Sequence, residues 1–473
     1  MTRVYWMVAG AAVTLLAAPA APALAHGLSG RRDLPIPEWL FVWGAALVLL
    51  ISFVALATLW PKPRLVDPAW RPLGGFGRFL ASKPVDVACG VIGVALFVLT
   101  VYSGLAGEQS ISENFAPTFI YIVFWVALVP VSVLVGNVFR AFNPWRAVGR
   151  FVSWIASKVT RGAAEPFAYP ERLGHWPAVI GLFGFATMEL VLDNGADPRP
   201  LAIAGLVYSA ATWFAMALYG VEQWCNRGET FSVYFGLFSR LSVFERRGDT
   251  VGRRKFLSGL PSLDPIPGTI PLLAVMIGST SFDGVSEGEF FQRLLPDLRD
   301  FWESVGFGTT TAAELGLAVG LVASILIVLG FYWLGVLGAR TVGEHSAREL
   351  ANAFVHSLVP IALAYVMAHY VSLILFQMQT VPALLSDPLA RGSDLFGWAD
   401  ITADFTWVGA ETLWYIQVGF VVLGHVAALA LAHDRALVLY SKSAQAVRSQ
   451  YWMLGVMVGF TCLALWLLSE ASG

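Results

Sequence analysis

Six side chains stand out because apolar sequence surrounds them. Glu189 and Asp193 are four residues apart, His369 and His425 lie deep within two long apolar runs, and His356 and His433 lie near the ends of those same runs. Ionisable groups buried in a bilayer are costly and mark ion, proton or substrate sites. Four residues of helix bring Glu189 and Asp193 to one face. Two carboxylates with two imidazoles make a ligand set for Zn, Mn or Fe, or an acid–base set around a bound water. The candidate catalytic residues are Glu189, His369 and His425; Asp193 joins them as a metal ligand, and His356 and His433 are secondary candidates. A blander reading stands beside this one. Asp193, at the end of its run, fits among lipid headgroups, and the histidines fit as hydrogen-bonded members of a helix bundle.

Helix geometry limits how the histidines combine. From His356 to His369 is about 20 Å of rise and about 140° of rotation, against about 12 Å and 80° from His425 to His433. Two stacked bis-histidine haems need matching pairs, and these do not match. One shared site of His369 and His425 is the better expectation. Pro360 deprives the His356 carbonyl of its helical partner and predicts a kink there.

The elements that carry these residues follow from composition. Hydrophobic residues are 57% and charged residues 13% of the 473-residue chain, the latter about half the usual soluble share. The mean hydropathy is +0.67. A soluble globule would need more charge, and a disordered chain far less apolar sequence. Cys89, Cys225 and Cys462 are isolated and form no disulfide framework. With 30 Lys+Arg against 32 Asp+Glu there is no nucleic-acid footprint. The expectation is an all-α polytopic protein of a bacterial cell membrane, with the lipid bilayer as its partner. Arg3, the apolar run 4–18 and Ala23-Leu24-Ala25 before His26 read as a secretory signal peptide over 1–25. A single transmembrane domain then occupies 26–473.

Spans of roughly 20 apolar residues are expected at 38–60, 84–106, 116–138, 175–193, 200–221, 266–282, 314–338, 354–378, 412–433 and 450–469. Loops 61–83, 139–174 and 222–265 are rich in Arg and Lys, whereas 107–115, 283–313 and 379–411 are acidic. The positive-inside rule then puts the basic loops in the cytoplasm and both mature termini outside. The alternation holds only if the short 266–282, with Pro267, Pro271 and Gly278, crosses the membrane.

Between the spans, Phe231, Tyr234, Phe235, Phe238 and Leu241 recur at helical spacing and predict an amphipathic helix lying at the interface, followed by an arginine cluster. Asn143-Pro144-Trp145 reads as a helix stop with an interfacial anchor, and Glu222 is placed to pair with Arg140 or Arg146. Asp283-Gly284 reads as an external turn. The hydrolase, nucleotide-loop and zinc motifs of soluble enzymes are absent.

His26-Gly27-Leu28, the run RRDLPIPEWLFVWGAALVLLISFVALATLW, and then FNPWRAVGR, TSFDG, HSLVPIALAYVMAHY and GHVAALALAHDRAL resemble bacterial integral membrane proteins known as fenitrothion hydrolases. The resemblance runs from 26 to 440. It implies hydrolysis of the P–O aryl bond of an organophosphorus triester, an apolar small molecule that can arrive through the bilayer. It supplies no catalytic residue set. Three readings stand open: a metal-dependent hydrolase using metal-bound water, a proton- or metal-coupled carrier, and a haem-binding redox subunit.

Overall fold

The computed structural model describes residues 38–66, 69–159, 165–343 and 345–470. The expected signal peptide and His26-Gly27-Leu28 lie outside them. Each of the ten apolar stretches coincides with a helix. They are α1 (Glu38–Leu59), α2 (Lys83–Ala106), α3 (Phe115–Val135), α5 (Trp176–Leu190), α6 (Pro198–Tyr219), α8 (Thr269–Glu287), α10 (Thr309–Arg340), α11 (Ala347–Ser386), α12 (Ala410–Leu439) and α13 (Ser443–Glu470). Eight of these are long and apolar enough to cross a membrane, and α1 and α5 contribute shorter apolar stretches, Trp43–Leu59 and Trp176–Leu190. The chain is a multi-pass membrane protein in its architecture.

The longer helices between the spans are α4 (Pro144–Val159), α7 (Thr230–Ser239) and α9 (Glu289–Val305), beside the short helices Gly74–Leu80, Phe139–Phe142 and Val221–Arg227. Among the described residues the fold is helical apart from one small antiparallel sheet of β1 (Arg71–Pro72), β2 (Phe244–Arg247) and β3 (Thr250–Arg253) in the order β1-β3-β2. The sheet joins two of the basic loops, with Arg71 and Phe244 both opposite Arg253. A bidentate Arg246–Asp86 pair, 2.7 Å at its shorter contact, fixes the sheet to the start of α2.

Position in the bundle follows side-chain size and polarity. α8 and α11 are buried over most of their length and form the centre. α2 and α10 expose Val87, Val91, Val98, Leu326, Ile327 and Leu334, the apolar surface expected of lipid-facing helices. Close approach is bought with small residues. A Cβ added to Gly278 on α8 would lie 2.7 Å from the Ile325 Cα of α10, and one on Gly424 of α12 would lie 2.3 Å from the Ala364 Cβ of α11.

Three local expectations are corrected. α7 does not lie at the interface: Phe231, Tyr234, Phe235 and Phe238 are all buried, and they pack on Trp125 and Phe124 of α3. An all-round apolar helix belongs inside, and its small Ser232, Gly236 and Ser239 leave room for neighbours. Asn143-Pro144-Trp145 stops one helix, as expected, since the short helix Phe139–Phe142 ends at Asn143, but it also starts the next and is no interfacial anchor. The Asn143 side chain accepts from Arg146 N–H at 2.9 Å, Pro144 takes the first helical position, and Trp145 is buried with its indole N–H on Ser209. The helices between the spans that expose an apolar stripe are α4, with Phe151, Val152 and Trp154, and α9, with Phe290, Leu294 and Phe301. Finally, Asp283 is not in a turn, because α8 continues to Glu287.

The predicted break in α11 is present. Residues Val355–Ser357 wind as a 3-10 turn just before Pro360, between α-helical segments.

Candidate functional site

Continuing α8 through Asp283 places a carboxylate deep in the bundle, about 21 Å along the helix from Thr269. Asp283 is 2% exposed. Its Oδ2 faces two donors from α11, His369 Nε2 at 2.9 Å and the Tyr370 hydroxyl at 2.6 Å. The imidazole and phenol rings stand edge-to-face, centroids 4.6 Å apart. Gly284 leaves space beside the imidazole: a Cβ there would meet His369 Nδ1 at 3.6 Å. A carboxylate orienting a histidine and accepting from a tyrosine is the arrangement of acid–base and proton-relay sites.

Glu189 of α5 reaches the same height, about 20 Å from Trp176. It is partly buried and lies within electrostatic reach of Asp283, Tyr370, Tyr121 and Tyr234. Among the described residues its carboxyl has no hydrogen-bond or ion-pair partner. The Tyr234 hydroxyl, fully buried on α7, also has none. Tyr121 gives its hydroxyl to the Gly195 carbonyl at 2.6 Å. The site therefore joins two carboxyl groups, one imidazole and an unpartnered hydroxyl, drawn from α5, α7, α8 and α11.

The other expected site residues sit elsewhere. α11 and α12 pack as antiparallel neighbours, as their histidines suggested, but His425 faces Tyr365, one turn from His369, with ring centroids 6.4 Å apart. His425 is fully buried; its Nδ1 bonds the Val421 carbonyl at 2.7 Å and its Nε2 has no partner. Asp193 is exposed beyond the end of α5, where its backbone N–H meets Glu314 at 3.1 Å. His356 is buried with an unpartnered Nε2. His433 bonds the Trp60 carbonyl through Nε2 at 3.0 Å, and the adjacent Asp434 accepts from Trp60 Nε1 and the Arg64 backbone N–H. His433 and Asp434 thus hold the chain that leaves α1. Among the described residues, no three His, Cys, Asp or Glu side chains stand together as a metal-holding group.

A second buried carboxylate, Glu229, caps α7. It accepts from the N–H groups of Phe231 and Ser232, from the Tyr208 hydroxyl at 2.6 Å and from Asn143 Nδ2 at 2.9 Å. Its partners are complete, and the helix N-terminus favours its charge. It holds structure, whereas the Glu189 carboxyl has nothing to hold. Glu222, on the basic face, takes Arg146, as expected of it, and also Arg150, while Arg140 stays at 3.8 Å. Burial opposes its ionisation, but the Arg146 and Arg150 guanidiniums outweigh that and hold Glu222 below the usual carboxylate range.

Comparison with protein-family models, with curated proteins and with solved structures finds no match.

Proposed function

We propose that the chain is a proton-coupled carrier of a bacterial cell membrane, with Glu189, Asp283, His369 and Tyr370 as the groups that take up and release the proton. One observation carries this reading: Asp283 is bonded to His369 and Tyr370 while Glu189, within electrostatic reach of Asp283, has no hydrogen-bond partner among the described residues. Two carboxyl groups within electrostatic reach of one another in a low-dielectric bundle disfavour being charged together. A group left to exchange protons there suits coupling better than scaffolding. α11, which carries His369 and Tyr370, is interrupted at Val355–Ser357, about 20 Å along the helix from them, and carriers use interrupted helices of this kind. In this reading the basic loops face the cytoplasm, the signal segment has directed the start of the chain outward, and the cluster opens toward the outer leaflet.

The test is proton flux into sealed proteoliposomes carrying a trapped pH dye, under an imposed pH gradient. Flux dependent on the protein, and lost in both Glu189→Gln and Asp283→Asn, supports the carrier. Undiminished flux in both variants, or none in the parent protein, ends it.

The His369–Asp283 pair also favours a second reading, the hydrolase implied by the resemblance. Asp283 would orient His369 so that its other nitrogen removes a proton from an attacking water. An apolar aryl phosphorothioate triester would reach this site from the lipid. A hydrolase releases the aryl alcohol in detergent solution, where no gradient exists, and a carrier releases none.

A further inference from the structure

The basic face holds a cavity of about 470 Å³ between α7, the end of α3 and the small sheet. Arg140, Arg146, Arg240, Arg246 and Arg254 line it, with Asp86 and Glu245 as the lining acids. These acids are already engaged: Asp86 with Arg246 at 2.7 Å, and Glu245 with Arg254 at 2.9 Å and Arg247 at 2.8 Å. Glu222, just beyond, is shared by Arg146, Arg150 and, at 3.8 Å, Arg140. Two guanidiniums are left without a close carboxylate. Arg140 has only that distant contact, and Arg240 bonds the Gly259 carbonyl and the Ser262 hydroxyl at 3.2 and 3.3 Å.

We infer that this cavity is a binding site for a phosphate-bearing anion, held by the guanidiniums that line it, among which Arg140 and Arg240 are the least engaged by carboxylates. Guanidinium forks match phosphate oxygens in geometry and charge. The cavity admits a phosphate group with a small organic part. Burial disfavours the charge of both arginines, and then a neighbouring guanidinium does so as well, Arg146 for Arg140 and Arg254 for Arg240. A bound dianion relieves that repulsion, so the excess of cations is a cost in the empty cavity and a source of affinity in the filled one. The same chemistry belongs to a free cytosolic phosphate compound and to the headgroup of an anionic phospholipid, since the cavity opens where headgroups lie. The site is remote from Glu189 and Asp283, and the inference stands independently of the proton-coupling reading.

The full-length protein in mild detergent is titrated calorimetrically, at constant ionic strength, with inorganic phosphate and with short-chain dihexanoyl phosphatidylglycerol. Saturable binding of at least one probe is expected, weakened about tenfold or more in Arg140→Gln and in Arg240→Gln. Arg348→Gln, an exposed cation elsewhere, should bind as the parent does. Phosphate displacing the lipid completely identifies a free anion as the ligand. Lipid that phosphate cannot displace, and that co-purifies with the parent but not with the variants, identifies a headgroup. No saturable binding of either probe overturns the inference, as does equal binding by parent and variants. Arg240 also ties the chain at Gly259, so Arg140→Gln, whose side chain is 41% exposed, decides the matter if Arg240→Gln unfolds.

Discussion

His369 Nε2 and Asp283 Oδ2 are 2.9 Å apart, joining the two most buried helices of the bundle at a point where apolar contact alone would have served. Burying such a pair is worth little as a source of stability. Its presence in the core therefore points to use, and Glu189 beside it points to protons.

Replacing Asp283 separates structure from use. Asp283→Ala strands the His369 and Tyr370 donors, which costs about 1–3 kcal/mol for each donor left unpaired. Asp283→Asn keeps an acceptor and should cost less. Thermal unfolding in detergent should rank the parent above Asn and Asn above Ala, while both variants lose proton flux.

Glu189 behaves differently, because nothing holds its carboxyl. Glu189→Gln should leave the unfolding temperature of the purified protein within about 2 °C of the parent, as substitutions away from fixed networks do. Flux should nevertheless fall at least tenfold. A variant that loses stability and flux together would make Glu189 a structural residue.

Glu229 is the contrasting case. Glu229→Ala removes the acceptor for four donors and the cap of α7, and should destabilise by about 3–5 kcal/mol, the range for breaking a buried charged network. Glu229→Gln should recover part of this. The check is the unfolding temperature of each variant, and a Glu229→Ala protein as stable as the parent would refute the capping role.

Gly424 sets the contact of α11 with α12. A Cβ there would lie 2.7 Å from the Pro360 carbonyl, which is backbone and cannot rotate aside. Gly424→Ala should cost about 1–3 kcal/mol by overpacking and should shift the Tyr365 and His425 environments, visible as altered tyrosine fluorescence.

Stability on the basic face should depend on pH through Glu222. Its carboxyl lies below the usual range when folded, so its contribution is fully present above the unfolded value of about 4.3 and is lost as pH falls through the lower folded value. Glu222→Gln should flatten that part of the curve of unfolding temperature against pH. Half-exposed as it is, with 46% of its side chain accessible, the effect should shrink in high salt.

The helices were legible because a bilayer demands long apolar runs, and every such run among the described residues is a helix. The site was legible only in part. Glu189 and His369 were visible as ionisable residues amid apolar sequence. Asp283 was not, because the expected span ended at residue 282 and an Asp-Gly pair resembles a turn. The clue was length: 17 residues from 266 to 282 is short for a crossing, and extending the helix brings Asp283 inside. α7 misled for a related reason. Spacing of apolar residues cannot distinguish a helix on a surface from one surrounded by other helices, since both show the same period. Glu229, beside Arg227 and Gly228, looked like loop charge, and only its neighbours from α4 and α6 reveal it as a cap.

The length of α8 has a mechanical consequence. It begins beside His175 on the basic face, where Glu222 binds the arginines of α4, and ends where α9 begins. Its 19 residues rise about 28 Å. α8 thus spans a distance close to the roughly 30 Å hydrocarbon depth of an ordinary bilayer. A thicker membrane would have to thin around a helix of this length or strain the packing of α8 against its neighbours. The segment carrying Asp283 would then act as a gauge, making the protonation site sensitive to lipid chain length.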